Sequence, residues 1–134
     1  MFGDVPGGAP GDTSGNTPDR DATGQMFVFL GWAWDVDKAA RLAARHPVMR
    51  ADITRLGWAR PVINVDPVHA ATVDLSRPLL AVPVPNAAVP LVIDGYHRIH
   101  RAITERVTEL PVILLDAADE RACRIMGGGI TPIG

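Results

Sequence analysis

The sequence predicts a single small α+β domain in which a few helices pack against a mixed sheet. Its 134 residues are enough for one domain of ordinary size. The run PLVIDG is typical of a buried strand, IHRAITERV repeats apolar residues at helical spacing, and LPVILLD is again typical of a strand. Together these segments give strand, turn, helix and strand over about 25 residues, which indicates an α+β fold.

The two ends of the chain predict little ordered structure. Residues 1–25 are rich in Gly, Pro, Asp, Ser and Thr and offer almost nothing apolar to bury, so we expect a disordered tail. We place the folded domain at residues 26–127 and expect residues 128–134 to form a flexible C-terminus.

The folded part begins with an aromatic segment and a helix. MFVFLGWAWDV is interpreted as a core strand or a docking segment, in which packing of Trp32 and Trp34 is favoured over stacking of a base. Asp35 can cap the next segment, DVDKAARLAARH, and Pro47 ends it. The apolar residues of this helix that share one face are Val36, Ala39, Ala40, Ala43 and Ala44.

The middle of the chain is predicted to be extended. RPVINVD (60–66) and LLAVPV (79–84) are apolar runs bounded by proline, as in short strands, and Pro83 places the second at a sheet edge or a bulge. HAATVDLSRP, between them, is also expected to be extended. Near the end, DAADERACRIM predicts a short helix capped by Asp116.

The helix that follows PLVIDG has one apolar and one basic side. Its spacing predicts that Ile99, Ala102, Ile103 and Val107 are buried. The remaining faces carry His97, Arg98, His100 and Arg101.

Bulk composition excludes several functional classes. A formal net charge of -2 gives no support for a general nucleic-acid-binding surface. The single cysteine, Cys123, excludes an internal disulfide and a cysteine-rich zinc site, and His46 and His69 have no ligand spacing, so no protein-bound metal is expected. No run is long and apolar enough to span a membrane, and we expect a cytoplasmic protein.

The turn from strand to helix is the strongest candidate site. Gly95 permits a sharp turn and lets a ligand approach the backbone, and the free N–H groups of a helix start favour an anion. Arg98 is expected to be a partly exposed, bidentate phosphate clamp, and His97 and Arg101 are four residues apart and can reach one ligand. The alternative is a solvated basic helix start with no ligand.

Acidic residues near this turn add a second set of candidates. Asp94 can hold a metal bound to phosphate or simply cap the helix. If the segment VDLSRP runs beside the strand of PLVIDG, Asp74 or Ser76 can face the site and Arg77 can meet a phosphate from the opposite wall. The alternative for this segment is a turn before a strand.

The stretch IDGYHRIHRAITERVTELPVILL resembles the signature of the ParB/sulfiredoxin superfamily, specifically over residues 91–115. The resemblance implies that Gly95, His97 and Arg98 contact nucleotide phosphates. Tyr96 stands where sulfiredoxins carry their reactive cysteine, so sulfinic-acid reduction is excluded. Arg106 stands where the family usually has glycine, and a left-handed residue there would cost arginine about 1 kcal/mol or more. ParB proteins continue into a helix-turn-helix domain, for which this chain leaves no room.

The resemblance therefore implies a small ParB/sulfiredoxin-like domain that binds a nucleoside triphosphate, ATP or CTP, with Mg²⁺. We expect either an NTP hydrolase or small-molecule phosphotransferase, or a non-catalytic, nucleotide-responsive partner module in plasmid or chromosome maintenance; a ParB-like nuclease is a third alternative. A homodimer fits the second alternative, and direct DNA binding is not expected without a partner. The expected catalytic residues are Asp94, Asp74 and His97, and the expected binding residues are Gly95, Tyr96, His97, Arg98, Arg101 and Arg77.

Overall fold

The computed structural model describes residues 24–128. The strands are β1 (Met26–Phe29), β2 (Trp32–Asp35), β3 (Met49–Asp52), β4 (Leu79–Val82), β5 (Leu91–Asp94), β6 (Glu109–Leu114) and β7 (Arg124–Met126). The helices are α1 (Val36–Ala43), α2 (Ile53–Leu56), α3 (Pro67–Ala70), α4 (Tyr96–Thr104) and α5 (Ala117–Cys123), with a 3₁₀ turn at Arg60–Val62. The predicted tail, apart from residues 24–25, and the predicted C-terminus, apart from residue 128, lie outside the described residues.

The α+β prediction is confirmed, with two small sheets rather than one. The four-stranded sheet has the order β3-β6-β4-β5 and is mixed, because β4 and β6 are parallel while the other neighbours are antiparallel. The predicted strand, turn, helix and strand correspond to β5, α4 and β6. The sequence also predicted α1 and α5 with their caps: Asp35 accepts from the Lys38 N–H at 2.9 Å and Asp116 from the Asp119 N–H at 2.8 Å. The predicted last helix is shorter than expected, because it ends at Cys123 and residues 124–126 pair with β2 as a strand.

The aromatic segment folds into a hairpin and forms a three-stranded sheet of order β1-β2-β7. Its two-residue turn has positive φ at both Leu30 and Gly31, as the twist of a tight hairpin requires. Trp34 is fully buried and donates from Nε1 to Glu120 Oε2 at 2.9 Å, and its ring stacks on Trp32 with centroids 5.6 Å apart. Both tryptophans thus pack against the protein, as the sequence favoured.

The middle of the chain differs from its prediction. Residues 60–66 form the 3₁₀ turn and an irregular stretch rather than a strand, because Pro61 suits a helix start and Asp66 caps α3 at its proline. HAATVDLSRP is not extended: it begins inside α3 and continues through turns. LLAVPV does form a strand, but β4 lies inside the sheet rather than at its edge, and its pairing with β5 shifts register between Leu80 and Ala81. The strand ends before Pro83, so the proline removes no bond from the ladder.

The buried face of α4 is rotated relative to the predicted one. Tyr96, Arg98, Ile99 and Ala102 are buried, whereas Ile103 is 38% exposed and its predicted burial is wrong. Arg98 and Ala102 lie one helical turn apart, so burying the Arg98 side chain turns the opposite edge of the helix, with Ile103, toward solvent. On α1, Ala40 and Ala44 are likewise exposed rather than buried.

The end of α4 keeps the left-handed conformation although no glycine is present. Arg106 has φ 61°, the Val107 N–H donates to the Ala102 carbonyl at 2.8 Å, and the Arg106 N–H donates to the Ile103 carbonyl at 3.1 Å. These two bonds form a Schellman motif, which satisfies the last carbonyls of the helix. The cap is therefore retained at a cost of about 1 kcal/mol or more for the non-glycine residue.

The two isoleucines of α4 test the rotated face. Ile99→Ala should lower the free energy of unfolding by about 2–5 kcal/mol, because Ile99 is fully buried. Ile103→Ala, on the same helix, should lower it by less than about 1 kcal/mol. Chemical denaturation of both variants measures the difference, and equal losses would contradict the helix orientation.

Candidate functional site

The Arg98 guanidinium, at the start of α4, is buried and makes three hydrogen bonds through its two Nη atoms. It is 6% exposed and donates to the carbonyls of Arg77 at 3.0 Å and Pro78 at 2.7 Å, and to Asp94 Oδ2 at 3.1 Å. Burial lowers the pKa of Arg98 from its ordinary value, while the Asp94 carboxylate opposes that shift. The expectation of a partly exposed clamp is wrong, because the donors of this side chain join two segments of the fold.

Gly95 is required by packing within the turn. Its φ is 119°, a conformation that side chains other than glycine rarely adopt. A Cβ at this position would lie 2.4 Å from Leu79 Cδ2 and 3.2 Å from Arg98 Nη2. The space that the sequence assigned to an approaching ligand is occupied here by Leu79 and the Arg98 guanidinium.

Two further polar residues of α4 contact the same stretch of backbone. Arg101 donates from Nη1 to the Val73 carbonyl and from Nε to Glu105 Oε2 at 2.7 Å. His97 accepts at Nε2 from the Asp66 N–H at 3.3 Å. With Arg98, these side chains hold the connection formed by residues 66–78 against α4.

His97 also lies against a second histidine. The rings of His69 and His97 meet edge to face with centroids 4.7 Å apart. Burial lowers the pKa of His97 from its ordinary value, and His69 adds to this shift, whereas Asp66 opposes it. The acceptor role of Nε2 requires neutral His97 with its proton on Nδ1.

The turn at residues 74–78 lies beside the start of α4. Asp74 Oδ1 accepts from the Ser76 N–H at 2.9 Å and from Ser76 Oγ at 2.7 Å, and these bonds lower the pKa of Asp74. The structure thus brings Asp74 and Arg77 near Asp94 and Arg98, which interact electrostatically. Arg77 is exposed, and within the described residues its guanidinium makes no hydrogen bond or ion pair.

The N-terminal end of α4 retains donor groups. No described side chain caps it, so the first N–H groups of the helix, from Tyr96 onward, have no side-chain acceptor. The side chain of Tyr96 faces the core: it is 5% exposed and its ring stacks on Phe27 with centroids 5.7 Å apart. Its hydroxyl has no partner among residues 24–128, and burial raises the pKa of Tyr96.

A separate pocket of about 270 Å³ lies on the four-stranded sheet, and its lining contains no residue of the 94–101 segment. Apolar side chains of β3, β4 and β6 form much of it, with Asp52 and Arg55 of the α2 region at its polar part. No pattern in the sequence indicated this pocket, because its walls come from segments distant along the chain.

Comparisons with protein-family models, curated proteins and solved structures found no match to this chain. The likeness to the ParB/sulfiredoxin superfamily therefore stays an expectation from the residues of the turn. Within the described part of the chain, no helix has the length and apolar character that crossing a membrane requires.

Arg98 and Arg77 provide a matched pair for testing the structural role of the guanidinium. Arg98→Ala should lower the free energy of unfolding by about 2–4 kcal/mol, because Asp94 and two carbonyls lose a charged donor. Arg77→Ala should change it by less than about 0.5 kcal/mol, as expected for an exposed side chain. Urea denaturation measures both; a native-like stability for Arg98→Ala would show that its bonds contribute nothing net.

Proposed function

We propose that this protein binds a nucleotide through its phosphate groups, at the corner between the first turn of α4 and the turn at residues 74–78. One observation carries the proposal: Arg98 bonds the 74–78 turn directly to the start of α4. The backbone of an exposed arginine, Arg77, is thereby held at the first turn of α4, whose N–H groups have no side-chain cap. Anions favour such a combination of helix N-terminus and guanidinium.

The roles proposed here for Arg98 and Arg77 differ from those expected from the sequence. Arg98 is a positioning residue, because both of its Nη atoms are engaged by Asp94 and two carbonyls. The planar guanidinium of Arg77 makes no hydrogen bond or ion pair within the described residues, so we assign it the bidentate contact with phosphate. The backbone N–H groups of the first turn supply the remaining donors.

The acids of this corner fit Mg²⁺ accompanying a nucleoside triphosphate such as ATP or CTP. Asp94 uses Oδ2 for Arg98 and Asp74 uses Oδ1 for Ser76, and within residues 24–128 the other oxygen of each makes no hydrogen bond. Carboxylate oxygens together with phosphate oxygens are the ligands that Mg²⁺ prefers. When bound, the ion would neutralise charge on the phosphates.

A nucleotide-responsive, non-catalytic module is the role we favour. The outer part of the three-stranded sheet exposes Met26, Val28, Leu30 and Met126, each by about half or more. Exposed apolar side chains on one small sheet suit contact with a partner or a second copy of the chain. Hydrolysis or phosphotransfer is the second candidate, favoured by the presence of both Asp94 and Asp74 at the corner.

Nucleotide binding is tested by thermal shift and calorimetry with ATP, CTP, GTP and UTP, each with and without Mg²⁺. At least one should raise the melting temperature, because a ligand that binds only the folded state stabilises it. Arg77→Ala should weaken that nucleotide about tenfold to hundredfold, the equivalent of roughly 1.5–3 kcal/mol for a charged contact. The melting temperature without ligand should stay unchanged.

Arg41→Ala, an exposed arginine on α1, is the matched control and should bind like the parent protein. Chromatography of the incubated nucleotide separates the two roles, since a module leaves it intact and a hydrolase releases phosphate. Light scattering with and without nucleotide reports a change in association. A flat thermal response to all four nucleotides, or full affinity in Arg77→Ala, would contradict the assigned site.

A further inference from the structure

A cluster of three potential metal ligands lies where the end of α1 meets the start of α5. One side-chain atom from each of His46, Asp116 and Asp119 lies within 4.8 Å of the others. His46 Nε2 is 2.6 Å from Asp119 Oδ2. The Asp119 side chain is 6% exposed and that of His46 is 17% exposed, whereas Asp116 is open to solvent.

The backbone around this cluster is held in place. His46 follows α1, and its N–H donates to the Ala43 carbonyl at 3.0 Å. Asp116 caps α5 by accepting from the Asp119 N–H at 2.8 Å, which ties the two acids together. Ligands on fixed elements lose little freedom when they bind an ion.

Arg45 completes the surroundings of the cluster. Its guanidinium bonds Asp119 Oδ1, while Oδ2 of the same carboxylate faces His46. A bond to the outer oxygen of a ligating carboxylate is a common way to orient a metal ligand. With two carboxylates and one arginine, the group has an excess of negative charge when the imidazole is neutral.

We propose that His46, Asp116 and Asp119 form a binding site for a divalent transition-metal ion, for which Zn²⁺ is the probe. One imidazole nitrogen and two carboxylate oxygens are ligands that Zn²⁺ accepts. The site joins α1 to α5 and is independent of the proposed nucleotide corner. Because Asp116 is exposed, water can complete the coordination from the solvent side.

The geometry needs a modest adjustment to accept the ion. Zn²⁺ bonds nitrogen and oxygen at about 2.0–2.2 Å, which places two tetrahedral ligand atoms roughly 3.4 Å apart. His46 and Asp119 must separate by less than about 1 Å from their present contact, and Asp116 must move inward. Asp116 can use its second oxygen, because the first holds the Asp119 N–H.

No protein-bound metal was expected from the sequence, because His46 and His69 have no ligand spacing with each other. In the structure His69 lies against His97 instead, and the partners of His46 are acids about 70 residues further along the chain. Ligands at such a separation come together only through the packing of α1 on α5.

The site is tested by titrating the full chain with Zn²⁺, using calorimetry for stoichiometry and thermal shift for stabilisation. We expect one ion per chain and a higher melting temperature. Asp116→Asn retains an oxygen for the helix cap but loses the charged ligand, and it should weaken Zn²⁺ at least about tenfold. His46→Gln should weaken it further.

Co²⁺ gives a second measurement that does not depend on stability. The parent protein should develop the visible absorption of a low-symmetry Co²⁺ complex, and Asp116→Asn and His46→Gln should lose it or shift it. His69→Gln, which changes a histidine outside the cluster, is the control and should behave like the parent protein. Absence of Zn²⁺ binding, or equal affinity in the parent, Asp116→Asn and His46→Gln, would overturn the proposal and leave the cluster as an ion pair only.

Discussion

The arrangement of this domain depends on the burial of one guanidinium. Removing a charged group from water is costly unless its donors are satisfied, and Arg98 meets that condition with two carbonyls and one carboxylate. The bonds reach across the turn to Asp94 and back about 20 residues to Arg77 and Pro78, directly before β4. These bonds fix the rotation of α4 and position the 74–78 turn. The guanidinium itself occupies the space beside Gly95.

Local features of the sequence predicted the elements on either side of this group. The strand, turn and helix of residues 91–104 and the caps at Asp35 and Asp116 depend on neighbouring residues, so periodicity and capping rules suffice for them. The inward direction of Arg98 depends on carbonyls at Arg77 and Pro78, which no spacing rule connects to it. The misplaced Ile103 has this same cause, whereas the failed strand prediction at residues 60–66 has the local causes of Pro61 and Asp66.

The sequence predicted which residues lie together at the candidate site, but not which arginine bonds the backbone. Sequence patterns identified Asp94, Gly95, Arg98 and the VDLSRP segment, and the fold brings these together. A pattern of residue types cannot distinguish an arginine that binds a ligand from one that binds the backbone, since both use the same planar set of guanidinium N–H donors. Burial shows that Arg98 bonds the backbone, and Arg77, which is exposed, is the arginine that we propose for the ligand.

The connection between α3 and β4 has a dynamic consequence that follows from how it is held. It contains little regular structure, and side chains of a single helix provide its principal long-range bonds. We expect a segment restrained in this way to open as one cooperative unit, because Arg98 and Arg101 of the same helix hold its C-terminal part. Amide hydrogens of residues 71–78 and of the first turn of α4 would then exchange with solvent together, at a free energy below that of global unfolding. Side chains of α4 thus control whether residues 71–78 stay closed against the domain.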